Sequence, residues 1–133
     1  MDIDMQALVT LAQSYFDAAY EMDADKFANL FHPVSSVSSA VRVGEDIQVS
    51  VTPIQTWLAA VRNMKAPKQL GLERHDEILS IDVAKELALV KLKLQIPPRC
   101  FTDMLSCVKV AGTWRIIQKV TFSSTLPTTL SQT

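Results

Sequence analysis

Apolar residues recur every three or four positions in two parts of the chain, and this spacing predicts helices there. In the first part, about residues 3–31, the apolar positions are Leu8, Leu11, Ala12, Tyr15, Phe16, Ala18, Ala19 and Met22. Asp23 can cap a second, shorter helix that ends before Pro33, so this part predicts a helix pair. The second part, about residues 53–65, begins with Pro53, which a first helical turn tolerates.

Elsewhere apolar and polar residues alternate with a period of two, which predicts β-strands. The alternation is clearest over residues 86–96, where the positions that share one face are Ala88, Val90, Leu92, Leu94 and Ile96. Strands are also predicted over about residues 70–83, 100–110 and 113–123, and two short strands are predicted within residues 34–51. Helices that precede a mostly antiparallel sheet predict a single α+β domain over residues 1–133.

Residues 101–122 predict a β-hairpin that turns at Gly112. A two-residue turn of Ala111 and Gly112 requires a positive φ at Ala111, which is unfavourable for a residue with a Cβ. A three-residue loop from Val110 to Gly112 needs a positive φ only at the glycine. The turn chemistry therefore favours the three-residue loop, with the two-residue turn as the alternative.

The loop decides which side chains of the hairpin share a face. The three-residue loop pairs Lys119 with Asp103 and Trp114 with Val108, whereas the two-residue turn pairs Trp114 with Lys109. In the favoured register Asp103 and Lys119 face away from the core. The side chains expected on the core face are Trp114, Ile116, Val120, Phe122, Val108 and Met104, with Gln118, Ser106 and Thr102 as polar members.

Three helices are too few to cover both faces of a six-stranded sheet. The uncovered face is expected to present Phe101, Leu105 and Ile117, and a second subunit would remove these apolar side chains from water. We therefore expect a homodimer that forms through the outer face of the sheet.

Composition narrows the classes of partner. The 133 residues are 48% hydrophobic and 20% charged with a net charge of -1, which is typical of a globular domain and predicts no binding of nucleic acid or membranes. Residues 1–10 lack the basic segment of a signal peptide, so we expect a cytoplasmic protein. Cys100 and Cys107 lie far apart along one predicted strand, and both are expected to be reduced, buried thiols.

Few residues have the chemistry of a reactive or metal-binding site. Only two histidines are present, without the spacing of metal ligands, so no metal or cofactor is expected. His32 follows the predicted helix pair, where it can cap a helix C-terminus or donate into a pocket. His75 lies among charged residues, which favours a solvated strand end.

The order of several segments resembles proteins with the nuclear transport factor 2-like fold, specifically the group called putative lumazine-binding proteins. The C-terminal part of the resemblance is carried by ERHDEILSIDV, ELALVKLKLQI and FTDMLSCVKVAGTWRIIQKVTF, and YFDAAYEMDADKFANLFHP is similar to the helix pair that opens the group. The resemblance covers about residues 8–123. It implies a bent, cone-shaped sheet around a long helix, with a pocket at the wide end and usually a homodimer.

Enzymes of that wider fold place an acid or a histidine base on the strand after the helix pair, but residues 34–40 here contain only valine, serine and alanine. We therefore expect a small-molecule-binding or accessory protein whose pocket takes an apolar or aromatic ligand. The predicted pocket residues are Tyr15, His32, Trp57, His75 and Gln118. The alternatives are an isomerase, cyclase or dehydratase that uses His32 or Asp103 as acid or base, and a protein-interaction domain with a vestigial pocket.

Overall fold

The structure, a computed structural model, describes residues 2–126 as three helices and six strands. The helices are α1 (Ile3–Glu21), α2 (Ala24–Ala28) and α3 (Ile54–Arg62). The strands are β1 (Phe31–Val43), β2 (Asp46–Pro53), β3 (Asp76–Ala84), β4 (Leu87–Ile96), β5 (Arg99–Val110) and β6 (Thr113–Thr125). No helix in this part of the chain is long and apolar enough to cross a membrane.

The six strands form one sheet in the order β2-β1-β6-β5-β4-β3. Each neighbouring pair is antiparallel except β1 and β6, which run parallel. This is an α+β arrangement, as the helix and strand patterns predict. The β1–β6 pairing places the strand that follows the helix pair beside the β5–β6 hairpin.

The core lies between the helices and one face of the sheet. In β4 the alternation predicted from the sequence is observed, since Ala88, Val90, Leu92 and Leu94 are buried while the residues between them are more exposed. Leu8 of α1 is also fully buried, and each such leucine contributes about 1.5–3 kcal/mol of hydrophobic stabilisation. The inner face of the sheet and the apolar stripe of α1 thus form one hydrophobic core.

Some elements differ in extent from the sequence prediction. The helix pair ends at Ala28, because Phe31 is buried and pairs with Ile116 at the start of β1. β1 is 13 residues long and is therefore not a short strand. β3 starts at Asp76, and the residues before it form hydrogen-bonded turns in which Leu72 N–H donates to the Pro67 carbonyl at 3.1 Å.

The hairpin between β5 and β6 has the two-residue turn, so the favoured three-residue loop is wrong. Ala111 and Gly112 both have positive φ, at 50° and 80°, and Lys109 pairs with Trp114. A left-handed alanine costs about 1–2 kcal/mol. The turn accepts that strain because it lets the strands pair without interruption up to Val110 and Thr113.

A β-bulge at Ile117 changes which side chains of β6 face the core. Ser106 pairs with Gln118 and Cys107 pairs with Ile116, so Ile117 has no partner on β5. Because side chains alternate along a strand, the extra residue reverses the inward set: even-numbered residues point inward before the bulge and odd-numbered residues after it. The inward residues of β6 are Trp114, Ile116, Lys119, Thr121 and Ser123.

The predicted faces of the hairpin are therefore partly wrong. Val120 and Met104, predicted in the core, are 45% and 39% exposed on the outer face. Asp103 and Lys119, predicted on the outer face, are 2% and 7% exposed on the inner face. Lys119 pairs across the ladder with Leu105, which is fully buried and is not an outer-face residue either.

Candidate ligand-binding cavity

A cavity of about 140 Å³ lies between the helices and the inner face of the sheet. Its lining is mostly apolar, with Ala19 from α1, Val61 from α3 and Phe101 from β5 among the contributors. For comparison, an engineered apolar cavity of about 150 Å³ in another protein binds benzene. The volume therefore suits a ligand with a single ring.

Aromatic side chains from all three helices form one wall of the cavity. Tyr15 and Phe27 are 5.3 Å apart between ring centroids at an angle of 75°, and Phe27 and Trp57 are 4.9 Å apart at 74°. Both pairs have the edge-to-face arrangement that aromatic rings prefer. These contacts hold the wall in place and present flat apolar surfaces to the cavity.

Asp103 provides a carboxyl group at the polar end of the cavity. The Tyr15 hydroxyl donates a hydrogen bond of 2.6 Å to Asp103 Oδ2, and the Lys119 ammonium lies 3.8 Å from the same oxygen. Burial raises the pKa of Tyr15 well above its ordinary value of 10.0, and the charge and hydrogen bond of Asp103 raise it further. Tyr15 therefore remains a protonated hydrogen-bond donor at neutral pH.

Lys119 lies among aromatic rings and one carboxylate. Its Nζ is 4.3 Å from the centroid of the Trp57 ring and 5.3 Å from that of Tyr15. Burial lowers the pKa of Lys119 from its ordinary value of 10.5, although the Asp103 charge opposes the shift. A cation here is held by ring faces and one ion pair in place of water.

Two polar atoms at this end of the cavity have no hydrogen-bond partner within residues 2–126. They are Asp103 Oδ1 and Thr121 Oγ1, which belong to residues that pair directly across β5 and β6. An unpaired buried polar atom costs about 1–3 kcal/mol. The sheet therefore holds unused hydrogen-bonding capacity beside the cavity.

The structure brings two of the predicted pocket residues, Tyr15 and Trp57, together in the cavity. Asp103, predicted as a possible acid or base, also lines it, although the favoured register directed its side chain away from the pocket. That expectation is wrong because the two-residue turn pairs Trp114 with Lys109, and not with Val108, which turns Asp103 to the inner face.

The other three predicted pocket residues lie elsewhere. His32 lies in β1, beside a separate depression near the hairpin turn, and its Nδ1 accepts a hydrogen bond of 3.2 Å from Val34 N–H. His75 has a half-exposed side chain in a depression at the edge formed by β3 and β4. Gln118 lies on the outer face, where it bonds the Ser36 and Ser38 hydroxyls at 2.8 and 2.9 Å.

Lys119 and Thr121 were not predicted as cavity residues. Simple alternation from Trp114 assigns them to the outer face, and only the bulge at Ile117 turns them inward. The sequence carries no evident signal for that bulge. Within residues 2–126 no group of three or more His, Cys, Asp or Glu side chains is arranged to hold a metal ion.

Comparison of the sequence with family profiles finds a match over residues 4–122 to the family described as putative lumazine-binding. No curated protein matches the sequence.

Comparison with solved structures finds proteins of the same fold. An NTF2-like (nuclear transport factor 2-like) protein of unknown function from Shewanella baltica has a TM-score of 0.79 at 21% identity, covering 94% of this chain and 95% of that one. A second, from Methylobacillus flagellatus, has a TM-score of 0.76 at 19% identity, with 93% and 95% covered. A cystatin-like fold protein from Burkholderia xenovorans has a TM-score of 0.67 at 15% identity, with 92% of each chain covered. The fold is thus NTF2-like, or cystatin-like.

Proposed function

The chain belongs to the putative lumazine-binding family, and on that basis we propose that it binds a small planar organic molecule in the cavity lined by Tyr15, Trp57 and Asp103. The observation that carries the proposal is the cavity itself, which has an aromatic wall, a polar end and an open mouth. Sites for small molecules commonly combine an apolar lining with a few placed polar groups.

The cavity volume limits the size of the ligand. Because benzene occupies a cavity of about 150 Å³ in another protein, a single ring suits the volume of about 140 Å³ observed here. A molecule with two fused rings, such as the lumazine named by the family, would keep part of its second ring at the mouth. Asp103 then serves as a hydrogen-bond partner for the ligand. If the protein is instead an isomerase, cyclase or dehydratase, Asp103 is the candidate acid or base that lines the cavity, because His32 lies outside it.

Thermal unfolding with single-ring compounds such as benzyl alcohol, and with lumazine, tests the proposal. A ligand at 100 times its Kd raises the free energy of unfolding by about 2.7 kcal/mol and raises the melting temperature accordingly. Ala19→Leu fills part of the cavity and should remove the shift, because Ala19 is buried in its wall. Ala7→Leu is the matched control, since Ala7 is an exposed alanine of the same helix.

Two results would count against the proposal. One is the absence of any shift with the single-ring compounds and lumazine. The other is a shift that is equally large in wild type, Ala7→Leu and Ala19→Leu, because binding would then take place outside the cavity.

We also propose that the protein forms a homodimer through the outer face of the sheet. Leu105 and Phe101 do not contribute to that face, since Leu105 is buried in the core and Phe101 lines the cavity. An outer apolar patch is formed instead by five residues of β2, β5 and β6, namely Val49, Val51, Met104, Val120 and Phe122. Ser38 of β1 pairs with both Val51 and Val120, and Val120 also pairs with Met104, so the patch is continuous across β1. Val49 and Val51 are 71% and 65% exposed.

Light scattering tests the dimer. The chain has a mass of 14.8 kDa, so a mass of twice that value is expected at micromolar concentration. Val120→Lys places a charge in the outer apolar patch and should give the monomer. Leu70→Lys is the control, because Leu70 is exposed and lies outside the sheet. A wild-type mass of 14.8 kDa at that concentration would rule out the proposed interface.

A further inference from the structure

Lys119 brings a primary amine to the cavity in which ligand binding is proposed. We propose that Lys119 forms a Schiff base with a small aldehyde or ketone that enters this cavity. The inference rests on the proposed function, because the carbonyl compound must occupy the same cavity. It adds to the proposed function that the ligand is a carbonyl compound and that it becomes covalently bound to Lys119.

The surroundings of Lys119 suit an amine better than a fully hydrated ammonium group. An ammonium has three hydrogen-bond donors. Within residues 2–126 the Lys119 ammonium donates no hydrogen bond, and its distance of 3.8 Å to Asp103 Oδ2 is longer than a hydrogen bond. Nζ also lies close to the ring faces of Trp57 and Tyr15. The protonated amine thus exchanges its hydration for an ion pair and two aromatic faces.

The chemistry requires no other reactant. The lone pair of the neutral amine forms a C–N bond with the carbonyl carbon; the nitrogen then loses one proton and the former carbonyl oxygen gains one, which gives a carbinolamine. The hydroxyl group takes up a second proton, which comes from the solvent, and the nitrogen lone pair forms the C=N bond as the carbon–oxygen bond breaks. The oxygen leaves as water, and a protonated Schiff base remains. Asp103 lies within 4 Å of Nζ and is placed to carry protons during these steps.

The charges and aromatic rings around Lys119 favour the protonated Schiff base. A protonated Schiff base keeps its positive charge near the carboxylate and the Trp57 ring, as the ammonium does. It has one N–H donor where the ammonium has three, so fewer donors lack a partner. Burial, which lowers the pKa of Lys119, also increases the share of the neutral amine that reacts.

Reductive trapping tests the proposal. The wild-type protein is treated at pH 7 with benzaldehyde and cyanoborohydride, which converts a Schiff base to a stable benzyl amine, and the product is measured by intact mass and peptide mapping. We expect one benzyl group per chain, on Lys119, formed several-fold faster than on Lys109. Lys109 is the comparison lysine because it pairs with Asp4 at 2.9 Å outside the cavity. Lys119→Arg keeps the charge and should abolish the selective label.

Benzyl alcohol, which has the same ring and no carbonyl group, separates this inference from the proposed function. If benzyl alcohol raises the melting temperature but benzaldehyde labels Lys119 no faster than Lys109, the Schiff base is refuted and ligand binding stands. If neither compound has an effect, both proposals fail. Equal labelling of Lys119 in Ala19→Leu would also refute the inference, because the reaction would not depend on the cavity. Peptide mapping of the wild type decides the question if Lys119→Arg does not fold.

Discussion

Asp103→Asn is the substitution that most directly tests the electrostatics of the cavity. Asparagine has nearly the same shape and can still accept the hydrogen bond from the Tyr15 hydroxyl, but it removes the charge beside Lys119. Asp103 and Lys119 are 2% and 7% exposed, so water screens their interaction weakly. The variant therefore removes the ion pair and leaves the packing around residue 103 nearly unchanged.

The expected loss of stability in Asp103→Asn can be calculated from the distance between the two charges. Two unit charges about 4 Å apart interact by about 4 kcal/mol at an effective dielectric constant of about 20. Breaking a buried ion pair by removing one partner costs about 3–5 kcal/mol in other proteins, because the remaining charge is left buried without a counter-charge. We expect Asp103→Asn to lower the free energy of unfolding by a similar amount, which is a large part of the 5–15 kcal/mol typical of a domain.

Urea unfolding at pH 7 measures the effect, and a double-mutant cycle assigns it to the pair. Lys119→Met should also destabilise the protein, because it leaves the Asp103 carboxylate without its cation. The double variant Asp103→Asn/Lys119→Met should lose less stability than the two single variants together. Additive losses, or a change within about 0.5 kcal/mol for Asp103→Asn, would show that the two side chains do not interact as an ion pair.

Three further predictions concern the hairpin and the cysteines. Ala111→Asn should raise the free energy of unfolding by about 0.5–1 kcal/mol in urea, because asparagine tolerates the positive φ that Ala111 adopts in the turn; a loss of stability would contradict this account. Burial raises the pKa of Cys107 from 9.0 to about 12, so between these values the folded protein holds a proton that the unfolded chain has lost, and stability falls as pH rises. At 1.36 kcal/mol per pKa unit the full loss is about 4 kcal/mol, and Cys107→Ala should show a shallower decline over the same pH range. Iodoacetamide should label Cys100, which is half-buried, well before Cys107 in the native protein, and equal rates by mass spectrometry would disagree with the burial of Cys107.

The pattern of apolar residues was sufficient to predict the fold class. Helix α1, strand β4 and the mostly antiparallel sheet all follow from local periodicity, because the period of side-chain burial is 3.6 residues in a helix and two in a strand. Together with the ordered resemblance of its segments, this pattern was enough to identify the NTF2-like fold. Tyr15 and Trp57 could be proposed as cavity residues because the resemblance implies a cone-shaped fold, and aromatic side chains with a polar tip suit the mouth of its pocket.

The polar end of the cavity depends on two features that only the tertiary structure decided. The first is the two-residue turn at Ala111, where pairing of the whole hairpin outweighs the strain in one residue. The second is the bulge at Ile117, which shifts the alternation of β6 by one position. A one-residue shift moves every later side chain to the opposite face of a sheet, so local periodicity cannot predict the position of Lys119. The helices and strands were therefore determined by the sequence pattern, whereas the contact between Asp103 and Lys119 was decided by strand register, which depends on pairing across the whole sheet.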